Sequence, residues 1–168
     1  MSPAERIAKI RSAMPAEGMF RDKDWLLSPE AFPLKADILA ILQALGPALR
    51  AFQRACNDLY FESLESPELG WVARLLDQGK PARVVDLGRN GLWRQDLPAV
   101  LRPDLVLTED GVIIAELDSI PGGIGLTAWL NETYSDLGQP VIGGRDGMID
   151  GFAAAFPVED ILVSRESA

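Results

Sequence analysis

The sequence predicts an α/β fold in which a helical N-terminal layer packs on a mixed, partly parallel sheet. Up to about Lys80, apolar residues recur at spacings of three and four, which is typical of amphipathic helices. From Ala82 onward, short apolar runs alternate with short helical ones, which is typical of layered α/β domains. We therefore expect a helical region at residues 1–80 and an α/β region at 81–168, joined in one compact unit.

Three helical segments account for the first region. A short helix is expected around Glu5 to Ala13, and a wide apolar stripe runs from Leu34 to Leu59. Gly46-Pro47 interrupts that stripe, so it forms either two helices or one kinked helix. A third helix spans roughly Pro67 to Gln78 and stops at Gly79-Lys80-Pro81. Cys56 lies on the stripe, and we expect its thiol to be buried.

The second region is predicted to hold five strands and two helices. The strands are Arg83 to Leu87, Leu105 to Thr108, Val112 to Asp118, Gln139 to Ile142 and Asp160 to Ser164; the helices are Leu126 to Thr133 and Asp146 to Ala155. The last strand looks buried and lies four residues from the end of the sequence, so this region is expected to be incomplete. Core packing is favoured over a substrate wall for Trp71, Trp93 and Trp129.

Composition excludes several classes of function. The net charge of −9 disfavours binding to nucleic acids and to anionic membranes. The chain has no histidine, which removes imidazole bases and histidine-ligated zinc. Its single cysteine cannot form an internal disulfide. Because neither an apolar run of membrane-spanning length nor a signal-peptide core is found, we expect a cytoplasmic protein.

The charged residues around one hairpin carry the chemical signal. Two β-rich runs flank Glu109-Asp110-Gly111, and a three-residue loop there pairs Asp104 with Glu116 and Arg102 with Asp118. Three carboxylates and one guanidinium then share a face. A two-residue Asp-Gly turn is the competing register, and it moves Asp104 to the other face.

Two interpretations of these charges stay open. Carboxylates this close repel, so Arg102 and a hard divalent cation such as Mg²⁺ would neutralise them. In the simpler interpretation, Asp104 and Asp118 are strand-end turn residues, and Arg102 forms a structural salt bridge with Glu116. Val112-Ile113-Ile114-Ala115 indicates a buried strand, and a charge at its end favours the functional interpretation.

A glycine-rich turn follows the hairpin and leads into a helix. Pro121, Gly122, Gly123 and Gly125 would expose backbone N–H groups at a positive helix end, which favours phosphate or carboxylate. The turn matches neither a Walker loop nor the dinucleotide fingerprint, and it also serves as a plain connection. Arg89 and Arg145 follow predicted strands and are secondary candidates for gripping a substrate carboxylate.

Arg102-Pro103-Asp104, followed at hairpin spacing by Glu116-Leu117-Asp118, resembles the synthetase domain of glutathionylspermidine synthases and the wider group of circularly permuted ATP-grasp ligases. The resemblance implies a pre-ATP-grasp-like fold and the N-terminal part of an ATP- and Mg²⁺-dependent carboxylate–amine ligase. Such an enzyme forms an amide through an acyl phosphate.

Specific roles follow from that resemblance. Asp104, Glu116 and Asp118 would hold Mg²⁺ (or Mn²⁺), Arg102 would contact the transferred phosphate, and Pro121 to Gly125 would meet substrate and phosphate. The family's asparagine is Asp118 here, and the family's ATP-clamping lysines lie downstream of Ala168, so we expect no activity from this chain alone. A non-catalytic small-anion-binding domain and a protein-interaction domain are the alternatives.

Overall fold

The computed structural model describes residues 1–20 and 23–156, a mixed α/β arrangement of helices and one hairpin. The helices and strands, in chain order, are α1 (Pro3–Ala13), α2 (Ala36–Glu65), α3 (Gly70–Asp77), α4 (Ala82–Gly88), β1 (Arg102–Thr108), β2 (Gly111–Asp118), α5 (Ile124–Asp136) and α6 (Gly147–Ala155). Short 3₁₀ turns lie at Gly18–Phe20 and Gly91–Trp93. None of the described helices combines the length and the apolar character needed to cross a bilayer.

The chain forms two compact units whose boundaries differ from the expected division at residue 80. The central unit is Leu34–Ile120, and the terminal unit joins residues 1–33 to the chain from Pro121 onward. The first residues therefore belong to the same unit as the later helices. Long-range hydrogen bonds explain this pairing, since Gln139 donates to the Pro29 carbonyl and Tyr134 donates to the Ser28 carbonyl.

The terminal unit is organised around α1 and α5. Ser2 and Glu5 form a capping box at the start of α1, and the hydrogen bonds from the Ser2 backbone and side chain lower the pKa of Glu5. Ile10 of α1 is fully buried. Trp129 of α5 is also buried, and its indole N–H donates to the Ala13 carbonyl at 3.0 Å. The prediction that Trp129 belongs to a core is confirmed.

The central unit is built on α2, a single 30-residue helix with Pro47 inside it. Its buried residues are Ile38, Leu49, Phe61 and Ser63. Cys56 is exposed, so the prediction of a buried thiol is wrong. Trp71 and Trp93 are also about half exposed, at 56% and 47%, which contradicts the core role expected for them. The described residues therefore cover only part of the apolar stripe of α2.

One carboxylate connects the helices of the central unit. Asp77, at the end of α3, accepts a hydrogen bond from the Tyr60 hydroxyl of α2 at 2.8 Å. It also accepts two from Arg89, the residue that follows α4, at 3.0 and 2.7 Å. Burial opposes ionisation of Asp77, but the hydrogen bonds from Arg89 and Tyr60 outweigh it and lower the pKa of Asp77. Burial and the bond to Asp77 raise the pKa of Tyr60.

The sheet within the described residues is a two-stranded antiparallel hairpin. Thr108 pairs with Gly111 across a two-residue Glu109-Asp110 turn, so neither turn expected from the sequence is formed. Ala115 is then an extra residue in β2, because Leu105 pairs with Ile114 whereas Asp104 pairs with Glu116. This bulge brings Arg102 opposite Asp118, as the three-residue loop had predicted.

Two predicted strands are absent where they were expected. Residues 83–87 lie in α4, which begins directly after Pro81, and residues 139–142 form an irregular segment. Within the irregular segment, the Gln139 side chain also accepts a hydrogen bond from the Ala31 backbone. The strand expected at 160–164 lies outside the described residues. Helices α1, α2, α3, α5 and α6 confirm the helical predictions to within a few residues.

Asp77→Asn should lower the free energy of unfolding by about 1–3 kcal/mol at neutral pH, the usual size for hydrogen bonds to a charged group. Because folding lowers the pKa of Asp77 below its ordinary value of 3.8, its contribution is complete above that pH and is lost as the pH falls below it. Urea denaturation at pH 7 and at pH 3 measures both effects.

The matched control is Asp86→Asn, which removes an exposed carboxylate from α4. It should change the stability by less than about 0.5 kcal/mol. An Asp77→Asn variant as stable as this control would show that the Asp77 contacts do not hold the helices.

Candidate functional site

The residues singled out by the sequence meet at the open end of the hairpin. Arg102, Asp104, Glu116 and Asp118, which we call the hairpin cluster, lie on one face because paired residues and their neighbours two positions away share a face. Arg102 Nη2 donates to Asp118 Oδ2 at 3.1 Å, and Arg102 Nε lies 3.4 Å from Asp104 Oδ1. The structure therefore brings together all four residues predicted for metal and phosphate.

The hairpin cluster is accessible to solvent. The side chains of Arg102, Asp104 and Asp118 are 46%, 53% and 31% exposed, and Glu116 is exposed as well. Ile113 and Ile114 are also exposed, so β2 is not the buried strand that the sequence indicated. The argument that Glu116 ends a buried strand is therefore wrong, and its position opposite Asp104 is what connects it to the site.

Arg102 provides the counter-charge inside the cluster. Its guanidinium contacts two of the three carboxylates, and Asp118 also accepts a hydrogen bond from the Ile120 backbone at 3.1 Å. One guanidinium and three carboxylates leave a formal charge of about −2, which favours a further cation. The salt bridge expected between Arg102 and Glu116 in the simpler interpretation is replaced by bonds to the two aspartates.

The cluster as arranged does not form a metal centre. Within residues 1–20 and 23–156, no three cysteine or carboxylate side chains are placed to hold one metal ion. Asp104 and Asp118 are engaged by Arg102 instead. A divalent cation would therefore have to displace Arg102 from at least one aspartate, and exposed ion pairs of this kind are worth only about 0–1 kcal/mol.

The glycine-rich turn belongs to the terminal unit and forms the start of α5. Gly123 is the residue before the helix and has a left-handed φ of 78°. No side chain caps the helix there, so Pro121, Gly122, Gly123 and Gly125 surround backbone N–H groups at its positive end. The turn lies at the positive end of α5 and connects β2 to α5, and its binding of an anion stays a prediction.

Arg89 and Arg145 contact carboxylates of the protein itself. Arg89 binds Asp77. Arg145 contacts Glu132, Asp136 and Asp146, which raise the pKa of Arg145, with Asp136 contributing most. The suggestion that these arginines grip a substrate carboxylate is replaced by structural roles, and their positions in turns are confirmed.

The sequence analysis missed a pair of arginines in α2. Arg50 and Arg54 line a cavity of about 550 Å³ between α2 and residues 95–101. The available signal was their spacing of four residues, which places them on one helix face.

Gly123→Ala should lower the free energy of unfolding by about 1–2 kcal/mol, because a β-carbon strains a left-handed residue. Gly125→Ala is the matched control, since Gly125 lies within α5 and an added β-carbon there meets no atom within 4 Å. The control should be neutral or stabilising by up to about 1 kcal/mol. Equal effects of the two substitutions in thermal unfolding would contradict the special role of Gly123.

The geometry of the hairpin cluster and of the glycine-rich turn is thus the basis for any functional conclusion. No protein-family model matches the chain, no curated protein is similar to it, and no solved structure matches its fold.

Proposed function

We propose that this chain is the N-terminal part of an ATP- and Mg²⁺-dependent carboxylate–amine ligase of the glutathionylspermidine synthase-like, circularly permuted ATP-grasp kind. The observation that supports it is the pairing of Arg102 with Asp118 and of Asp104 with Glu116. These positions resemble the Arg-x-Asp and Glu-x-Asn motifs of those ligases, with Asp118 in place of the asparagine. The proposal includes a pre-ATP-grasp-like fold, with a partly parallel sheet to which the hairpin belongs.

The proposed reaction has two steps. A carboxylate oxygen attacks the γ-phosphorus of ATP, ADP leaves, and an acyl phosphate forms. The amine then attacks the acyl carbon, inorganic phosphate leaves, and the nitrogen loses a proton to give the amide. Arg102 would stabilise the charge on the transferred phosphate, because guanidinium groups form paired hydrogen bonds to phosphate oxygens.

In this proposal, the three carboxylates can bind a metal ion only when Arg102 leaves them to contact phosphate. Once Arg102 engages phosphate, Asp104 and Asp118 lose their counter-charge and, with Glu116, become available as oxygen ligands for Mg²⁺ or Mn²⁺. Because the cluster is exposed, the ion pairs that Arg102 would leave contribute only about 0–1 kcal/mol each.

A protein-interaction domain is the second candidate, and exposed apolar side chains favour it. Val106 and Ile113 pair on the same hairpin face as the charged cluster and are 51% and 57% exposed. Leu107 and Ile114 are exposed on the other face. Adjacent exposed apolar residues of this kind are common at protein interfaces.

The metal part of the proposal predicts weak Mg²⁺ binding at the hairpin. In an amide-detected NMR titration, about 1–10 mM Mg²⁺ should shift the resonances of the hairpin cluster. Asp118→Asn should weaken this binding about tenfold, because it removes a charged ligand. Glu109→Gln, which removes a carboxylate from the turn, should leave the affinity unchanged. Uniform shifts along the hairpin, or equal effects of both substitutions, would argue against a site.

The catalytic part predicts that Glu116→Ala abolishes amide formation in the complete enzyme while leaving the fold intact. The side chain is exposed, so its removal should not change the circular dichroism spectrum or the melting temperature. ATP turnover with candidate acids and amines is the measurement. Retained turnover in the Glu116→Ala enzyme would disprove the assignment of the cluster.

A further inference from the structure

The central unit also holds a polar groove that is lined by other residues than those of the hairpin cluster. It is a cavity of about 550 Å³ between α2 and the segment that leads to β1. We call it the α2 groove. Its lining combines side chains of α2 with those of residues 95–101, and none of the hairpin cluster residues lines it. The volume falls within the range of about 300–1,000 Å³ that is usual for small-molecule sites.

Two positive charges in the α2 groove have no carboxylate partner among residues 1–20 and 23–156. Arg54 Nη1 donates to the neutral Gln95 side chain at 3.0 Å. Arg50 forms no ion pair with any residue among 1–20 and 23–156. Asp96 also lines the groove, but it forms no ion pair with either arginine in the described part of the chain. The chain has a net charge of −9, yet these two guanidinium groups on one helix face have no carboxylate partner in the described part of it, so they can attract an anion.

The environment of these arginines is partly apolar. Leu49 is buried, and Leu97, Pro98 and Leu101 line the same groove. Gln53 and Gln95 add amide groups that can donate to an oxygen acceptor. Gly46 contributes no side chain, and a β-carbon added there meets no atom within 4 Å, so this side of the groove is open. The lining thus offers charged donors, neutral donors and an apolar wall.

We propose that the α2 groove binds a small molecule in which one oxyanion, a carboxylate or a phosphate, is attached to an apolar body. Arg50 and Arg54 would hold the oxyanion, since two guanidinium groups one helical turn apart can share its oxygens. The leucine and proline side chains would cover the apolar body. A polyanion such as a nucleic acid does not suit the groove, because the charge of the whole chain repels it.

This proposal is independent of the ligase. It concerns other side chains, and a ligand of the α2 groove needs no metal or ATP.

The test is an amide-detected NMR titration of the full chain with phenyl phosphate, with benzoate and with benzyl alcohol as the uncharged control. Phenyl phosphate or benzoate should shift groove resonances such as those of Arg50, Arg54 and Gln95, and benzyl alcohol should not. Arg50→Gln and Arg54→Gln should each weaken binding about tenfold, the effect of losing one charge-assisted hydrogen bond. The probe that binds more tightly identifies the oxyanion.

Arg83→Gln is the matched control, because it removes an exposed arginine from α4, outside the groove. It should leave the affinity unchanged. The proposal is overturned if Arg83→Gln weakens binding as much as the groove variants, which would indicate general charge attraction. It is also overturned if neither anion shifts the groove resonances. Unchanged melting temperatures of Arg50→Gln and Arg54→Gln would confirm that the variants fold.

Discussion

Asp77 accepts hydrogen bonds from side chains on both sides of α3, and the helical part of the central unit depends on these contacts. The apolar core of that unit is small, since its buried hydrophobic residues are Ile38, Leu49, Phe61, Val72 and Ala73. A core of this size leaves a large share of the stability to polar contacts. The Asp77 carboxylate therefore combines with Phe61 and Val72 to position α2, α3 and the end of α4.

The hairpin shows how one extra residue preserves a polar arrangement. Because Ala115 is inserted in β2, the turn can be short while Arg102 still faces Asp118. Without the bulge, the charged residues of the two strands would fall on opposite faces. Arg102 then satisfies two carboxylates that would otherwise repel each other. The cluster thus contains its own counter-charge and still carries a net negative charge that a cation can neutralise.

The helices and the charged end of the hairpin were predicted from the sequence more accurately than the strands or the burial of side chains were. Helices α2 and α3 follow a 3.6-residue apolar pattern that is local to each segment. The segment Arg83-Val84-Val85-Asp86-Leu87 has strand propensity, yet it follows Pro81 and precedes the Arg89–Asp77 pair, and these neighbours favour a helix. The burial of Cys56, Trp71 and Trp93 depended on covering surfaces that no local pattern reveals. The α2 groove depends on residues 40 or more positions apart, so only the fold could show it.

Because Cys56 is exposed and is the single cysteine of the sequence, this chain has one site for labelling with a thiol reagent. With one thiol in 168 residues, and that thiol on the surface of α2, a maleimide reagent modifies one known position without any mutation. A fluorophore attached there lies two residues after Arg54, on the same helix. Its emission can therefore report events along α2 in the natural sequence, at concentrations far below those required for magnetic resonance.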